Sequence, residues 1–273
     1  MKILSRISLM ADSKVPTDIE KKIRYFMLKC KRFVINEDMN LILIPIDSQE
    51  YKEIKAFLNE NKRYFNNIFE TFENKFDKKE MEQAQAFEMK INNICCGYDN
   101  TTSQEYFKTC CREGKLFIQQ VKDYEVPPNE LRKREVVFSD LYTFIITEKI
   151  MLEIKNNSMS NIKFRPVWQR RDIKIPIAYQ IEVDELLPSL KELNNWITYA
   201  CCPNCGKAVY DTNAIGPMYI TKDILDNLYD FNATTEQFAE LRARRFIVSR
   251  RVYDLFRSLG IKNLDFEPVI LKE

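Results

Sequence analysis

The residues best equipped for chemistry are the thiols of Cys202-Pro203-Asn204-Cys205-Gly206. Two thiolates separated by two residues can chelate one tetrahedral ion, while Pro203 and Gly206 shape the tight turn this needs. One such pair supplies two ligands, and a structural site needs two more. Histidine is absent from the whole sequence, so the others must be cysteine or carboxylate. Cys95-Cys96-Gly97 and Cys110-Cys111 are the candidates. The expected ligands of a structural Zn2+ are therefore Cys202, Cys205, Cys96 and Cys111, with Cys95 and Cys110 as alternates. Two other readings stay open, a thiol–disulfide redox pair and reduced, metal-free thiols. The redox reading calls for a helix after Cys205 to lower a thiolate pKa, and GKAVYDTN does not open one.

The missing histidine also removes the Ser-His and Cys-His nucleophile arrangements and the usual neutral-pH proton shuttle. Only five glycines occur, and neither common phosphate-loop motif is present. No catalytic residue can be named, and the inventory favours a binding protein over an enzyme without excluding carboxylate or lysine chemistry. Hydrophobic residues make up 45% of the 273 and charged residues 30%, which predicts a folded chain. The N-terminus carries no export signal and no apolar run is long enough for a membrane helix, so a cytoplasmic location without membrane contact is expected. Eight cysteines in that setting read as thiols or metal ligands.

The net charge of +2 is too balanced to point to nucleic acid. Basic clusters stand at Arg132, Lys133 and Arg134, at Arg165, Arg170 and Arg171, and at Arg242, Arg244, Arg245, Arg250 and Arg251. With Trp168, Phe246 and Tyr253 nearby they could meet phosphate, but solvated strand edges and helix faces give the same pattern. The carboxylates of Glu182–Glu185 and Asp223–Asp230 cannot be placed across a substrate from sequence.

An internal repeat must position these residues. FIITEKIMLEIKNNSMSNIKFRPV (144–167) aligns without a gap on FIVSRRVYDLFRSLGIKNLDFEPV (246–269), at an offset of 102. Each copy reads as a strand, an N-cap at Thr147 or Ser249, a short helix, and a second strand ending near Pro166 or Pro268. Gly260 and Ser158 fall where a left-handed C-terminal residue belongs. Upstream, residues 2–9 and 41–46 predict strands. Capping boxes at Thr17/Glu20 and Asp47/Glu50 predict helices, the first burying Cys30 and the second carrying a stripe from Ile54 through Phe65, Ile68 and Phe69 to Phe72. The expectation is an α+β protein with an N-terminal α/β region over 1–90. Two related strand–helix–strand units and a Cys-rich zinc-knuckle-like element follow, in a first repeat over 91–175 and a second over 176–273.

With the knuckle at Cys202–Gly206, Tyr229-Asp230-Phe231, and the terminal unit from Phe246 to Phe266-Glu267-Pro268-Val269, residues 135–273 resemble the bacterial double-CXXCG-motif family. They also resemble the immunity proteins encoded beside polymorphic toxins. The resemblance implies a non-enzymatic inhibitor that binds and occludes a cognate toxin, itself the product of an adjacent gene. The alternative class is a zinc-stabilised nucleic-acid-binding or regulatory protein.

Overall fold

The computed structural model describes residues 1–11, 15–65, 70–91, 107–109, 117–126, 131, 134–138, 143–169, 172–203, 206, 208–210, 216–238 and 244–272. The chain is mixed α+β, with several sheets and, among the described residues, six α-helices. It divides into two compact units, 1–80 with 213–216, and 81–212 with 217–273.

The first unit runs β1 (Lys2–Ser8), α1 (Thr17–Lys29), β2 (Val34–Asn36), β3 (Leu41–Pro45), α2 (Gln49–Glu60), β4 (Glu70–Lys75). Its antiparallel sheet has the order β2-β3-β1-β4, the split βαβ arrangement. Ile7, Ile42 and Ile44 share a core with Ile19, Ile23 and Phe26 of α1 and Ile54, Phe57 and Leu58 of α2. Cys30 lies fully buried in that core, and burial pushes its thiol pKa up.

Both helix starts differ from the sequence expectation. Pro16 is the N-cap of α1, its carbonyl accepting from the amides of Ile19 and Glu20, and no side chain caps the helix. In α2 the cap is Ser48, one residue later than Asp47, and its hydroxyl accepts from Tyr51 N–H. The second helix is also shorter than its apolar stripe. It ends at Glu60, a single 3₁₀ turn follows over Lys62–Tyr64, and Phe72 lies on β4 opposite Ser5. Ile68 and Phe69 fall outside the described residues.

Helix α3 (Lys78–Gln83) leads into the second unit. There follow β5 (Ala86–Ile91), β6 (Phe107–Thr109), β7 (Phe117–Gln120), β8 (Glu125–Val126), β9 (Val136–Phe138), β10 (Phe144–Ile146), α4 (Glu148–Asn156), β11 (Lys163–Gln169) and β12 (Asp172–Glu182). After them come β13 (Tyr199–Cys201), β14 (Ala208–Tyr210), β15 (Tyr219–Ile220), α5 (Lys222–Asp226), β16 (Phe231–Ala233), β17 (Phe246–Ser249), α6 (Arg250–Ser258), β18 (Leu264–Pro268) and β19 (Ile270–Leu271).

Segments 144–167 and 246–269 adopt the same elements, with matching hydrogen bonds at the helix C-termini. Helix α4 ends with Ser158 N–H donating to Lys155 O and Met159 N–H to Ile154 O. Helix α6 ends identically, Gly260 N–H to Arg257 O and Ile261 N–H to Phe256 O. This is the paired bonding of a Schellman cap, with Ser158 at φ 49° and Gly260 at φ 71°. The N-caps are less alike. Ser249 accepts from Val252 N–H and donates to Asp230, whereas the buried Thr147 hydroxyl has no partner among the described residues. Ser249→Ala should therefore cost about 1–2 kcal/mol in denaturant unfolding. Thr147→Val should be neutral or slightly stabilising in the same measurement, since it removes an unsatisfied hydroxyl.

The likeness extends beyond these segments. The central strand of one sheet is β12, paired with both β10 and β11, and that of the other is β5, paired with both β17 and β18. Gln180 lies between Ile145 and Arg165, as Glu88 lies between Ile247 and Glu267. Tyr179 and Phe87 correspond in the same way, so Ala178-Tyr179-Gln180-Ile181 matches Ala86-Phe87-Glu88-Met89 at an offset of 92. The hairpin β6–β7 matches β13–β14, its first strand at the same offset, Phe107–Thr109 against Tyr199–Cys201. Parallel β8 beside β11 matches β15 beside β19, with Trp168 N–H to Tyr124 O answering Ile270 N–H to Met218 O. In chain order each copy thus reads central strand, hairpin, short parallel strand, edge strand, strand–helix–strand. Each copy's central strand, however, sits in the other copy's sheet.

This exchange ties the copies into one core containing Phe87, Ile150, Ile154, Ile181, Val252 and Phe256. The contacts are reciprocal, as in an isologous interface. Asn161 donates to the carbonyl of Phe231, the partner of Val248 in β16, and Asn263 donates to the carbonyl of Val136, the partner of Ile146 in β9. The rings of Phe144 and Phe246, equivalent residues, meet edge to face at 5.2 Å.

Candidate functional site

The Cys202–Gly206 motif falls between the strands of the β13–β14 hairpin, where Cys201 pairs with Ala208. The chain closes as Gly206 N–H donates to Cys202 O at 2.8 Å, with Gly206 at φ 70°, a conformation that favours glycine. Cys202 is buried and Cys201 is exposed. Strand β14 follows the turn, and no helix begins between Cys201 and Tyr210 among the described residues. Cys205, Cys95, Cys96, Cys110 and Cys111 lie outside the described residues. Among the described residues no three His, Cys, Asp or Glu side chains are grouped to hold a metal. The first hairpin adds a register: Cys110 directly follows β6 as Cys202 directly follows β13. At the offset of 92, Gly114 matches Gly206 and Glu113 matches Cys205.

An aromatic ladder anchors the knuckle hairpin. Tyr199 stacks toward Tyr210 at 5.7 Å, Tyr210 toward Phe238 at 6.0 Å, and Phe238 toward Trp196 at 6.5 Å. Lys191 lies over Tyr199 at 4.0 Å, and the Arg245 guanidinium lies 4.7 Å from Trp196 and 4.9 Å from Phe238. Arg245 then reaches Glu88 at 3.1 Å, so the ladder runs from hairpin to exchanged strand.

Among the described residues of the basic clusters, Arg165, Arg245, Arg250 and Arg251 form ion pairs within the fold. Arg250 donates to the carbonyls of Met81 and Glu82, at the end of α3, and pairs with Asp254. Arg251 bridges Asp230 and the carbonyl of Asn157. Arg165 meets Asp123 at 2.6 Å, beside the Trp168 indole N–H at 3.1 Å. Burial alone would raise the Asp123 pKa, but these two donors outweigh it and hold it below the ordinary carboxylate value. Arg132, Lys133, Arg170, Arg171 and Arg242 lie outside the described residues.

Two concave regions of the second unit went unread in the sequence. One, of about 370 Å³, has Leu186, Leu187, Pro188, Ile224 and Tyr229 as its apolar part and Glu185 and Asp223 as its acids. Leu186 and Tyr229 are exposed there, and a hydrogen bond with Glu185 raises the Tyr229 pKa. The two acidic stretches thus come together on either side of one cleft. The other, of about 280 Å³, adjoins the Phe144–Phe246 contact. Only the likeness of AFEM to AYQI could have drawn attention to the Glu88 that lines it.

In the first unit, Glu70 gathers Ser5 Oγ at 2.8 Å, Tyr51 OH at 3.0 Å and Lys55 Nζ at 2.6 Å. Burial, with Glu70 beside it, pushes the Tyr51 pKa up. These groups join α2 to β1 and β4. Among the described residues, no helix is long and apolar enough to cross a membrane. The chain matches no protein-family model, and no curated protein matches it in sequence.

Proposed function

We propose that this protein is an immunity-type inhibitor that forms a stoichiometric complex with a cognate toxin and occludes it, with Zn2+ bracing its cysteine hairpins. The observation that carries this reading is where the shared residues of the resemblance fall. Asp230, Phe231 and the Phe246–Val269 unit are ties and core of the exchanged scaffold. A scaffold of that kind leaves loops and clefts free to set partner specificity. The cleft lined by Glu185 and Asp223 combines apolar side chains with two carboxylates, which suits a basic anchor on the toxin.

Co-expression with the product of the neighbouring gene tests the idea. The expected result is rescue from toxicity and a one-to-one complex on size exclusion. Tyr229→Ala, made at an exposed position, should weaken that complex about tenfold or more if the cleft receives an anchor. A neighbour that is harmless and does not bind, together with nucleic-acid affinity that falls steeply with salt, would instead favour the nucleic-acid reading.

The zinc part is separable. Elemental analysis of protein purified without chelator should find about one zinc per chain. Cys202→Ser should abolish it. By strand register Cys110→Ser should release the metal more readily than Cys111→Ser, and equal retention in both would remove the first hairpin from the ligand set.

A further inference from the structure

The cleft of about 280 Å³ beside the Phe144–Phe246 contact is lined by Phe138, Phe144, Phe238 and Phe246, together with Lys90, Arg244, Arg245 and Glu88. The lining carries three cations, Lys90, Arg244 and Arg245, against one carboxylate, Glu88. Arg245 is paired with Glu88 at 3.1 Å, and Lys90 with Glu267 at 2.7 Å and Glu88 at 3.4 Å. Arg244 is the cation left over. One of its terminal nitrogens donates to the carbonyls of Thr234 and Thr235, at 2.7 Å each, and among the described residues it forms no ion pair. Burial pulls its pKa below the ordinary arginine value, opposed only by longer-range attraction to Glu236. Glu236 lies outside the cleft lining and acts on Arg244 as a longer-range counter-charge without an ion pair. Its Oε1 accepts from Ser189 Oγ and from the amides of Leu190 and Lys191, and its Oε2 has no partner among the described residues.

A part-buried guanidinium in a cleft with aromatic walls is stabilised by an anion that arrives with its own apolar body. The volume lies at the lower edge of the ligand-pocket range, which suits a small ligand. We propose that this cleft binds a small carboxylate on an aromatic or branched apolar body, the carboxylate on Arg244 and the body against Phe138, Phe144 and Phe246. The same chemistry is offered by a free organic acid and by the C-terminal residue of a peptide. The inference stands apart from the immunity reading and does not require a toxin.

Calorimetric titration of the full chain with 3-phenylpropanoate and with its neutral amide is the test. Saturable one-to-one binding of the acid, with Kd below about 1 mM and the amide at least tenfold weaker, is expected. Arg244→Gln should remove that difference. Because Arg244 also holds two carbonyls, Ile91→Trp, which fills the cleft from another lining residue, should cost a similar factor without touching the charge. A short peptide ending in phenylalanine, free and amidated, identifies the source. Binding of the free-ended peptide as tight as the acid points to a protein C-terminus, and binding of the acid alone points to a small molecule. Equal binding of acid and amide, or no saturable binding of any free carboxylate up to about 10 mM, overturns the proposal.

Discussion

Asp230→Ala should lower unfolding stability by about 3 kcal/mol, while the equivalent change in the other copy, Glu135→Ala, should leave the midpoint essentially where it is. The two acids occupy matching places. Each precedes an edge strand, each has its carbonyl bonded to the N-cap amide of the neighbouring helix, and each pairs with the basic residue two positions after that cap. Burial separates them. The Asp230 side chain is 5% exposed, against 37% for Glu135. Asp230 also accepts from Ser160 N–H at 3.0 Å, Ser160 Oγ at 3.2 Å and Ser249 Oγ at 2.7 Å, joining the end of α4 to the start of α6. Truncation strands those donors in a part-buried site, at about 1–3 kcal/mol for each one left unsatisfied. Arg251 adds little to this, being 61% exposed and screened. For a unit of this size the loss should appear as a fall of roughly 6–12 °C in Tm. Equal shifts for the two variants would show that the burial difference has no energetic weight.

How much of this was legible follows from where the loops differ. Segments 144–167 and 246–269 stand out because nothing is inserted between them over 24 aligned positions, and Asn161/Asn263 is identical because both side chains reach across to the other copy's edge strand. The rest of the repeat slips. Its offset is 92 at Ala86/Ala178, 94 at Glu125/Tyr219 and 95 at Val136/Phe231, before settling at 102. Short strands bounded by unequal loops leave no continuous alignment to find, and their pairing partners lie far along the chain. In the first unit, apolar periodicity carried a helix through Phe65 to Phe72. Backbone geometry ended it at Asn61, where a 3₁₀ turn redirects the chain into β4. The Cys-Pro-x-Cys-Gly motif was plain in sequence, but short-range pattern could not say which residues stand beside it in space.

The strand exchange carries the largest expected effect. A chain of residues 81–273 should show cooperative unfolding, whereas residues 92–273 should not, although both contain the repeated segments whole. The difference is β5. Within it Phe87 is fully buried and Met89 nearly so, with Phe87 stacked on Tyr253 at 4.2 Å. Losing a buried Phe side chain alone costs about 3–5 kcal/mol. Losing the strand also leaves β17 and β18 facing each other across a vacant lane, with their inward backbone donors and acceptors unpaired. Together these exceed the 5–15 kcal/mol that typically holds a domain folded. The equivalence of the central strands makes a finer claim. Phe87→Tyr, Glu88→Gln and Met89→Ile together write the β12 sequence into β5. The triple variant should still fold, weakened through the lost Glu88–Arg245 pair and through the hydroxyl placed at the fully buried Phe87 position. Circular dichroism melts of the two truncations and the triple variant decide the matter. Cooperative folding of 92–273 would mean that the copies close their sheets without exchange, and collapse of the triple variant would mean that β5 and β12 are not the same strand.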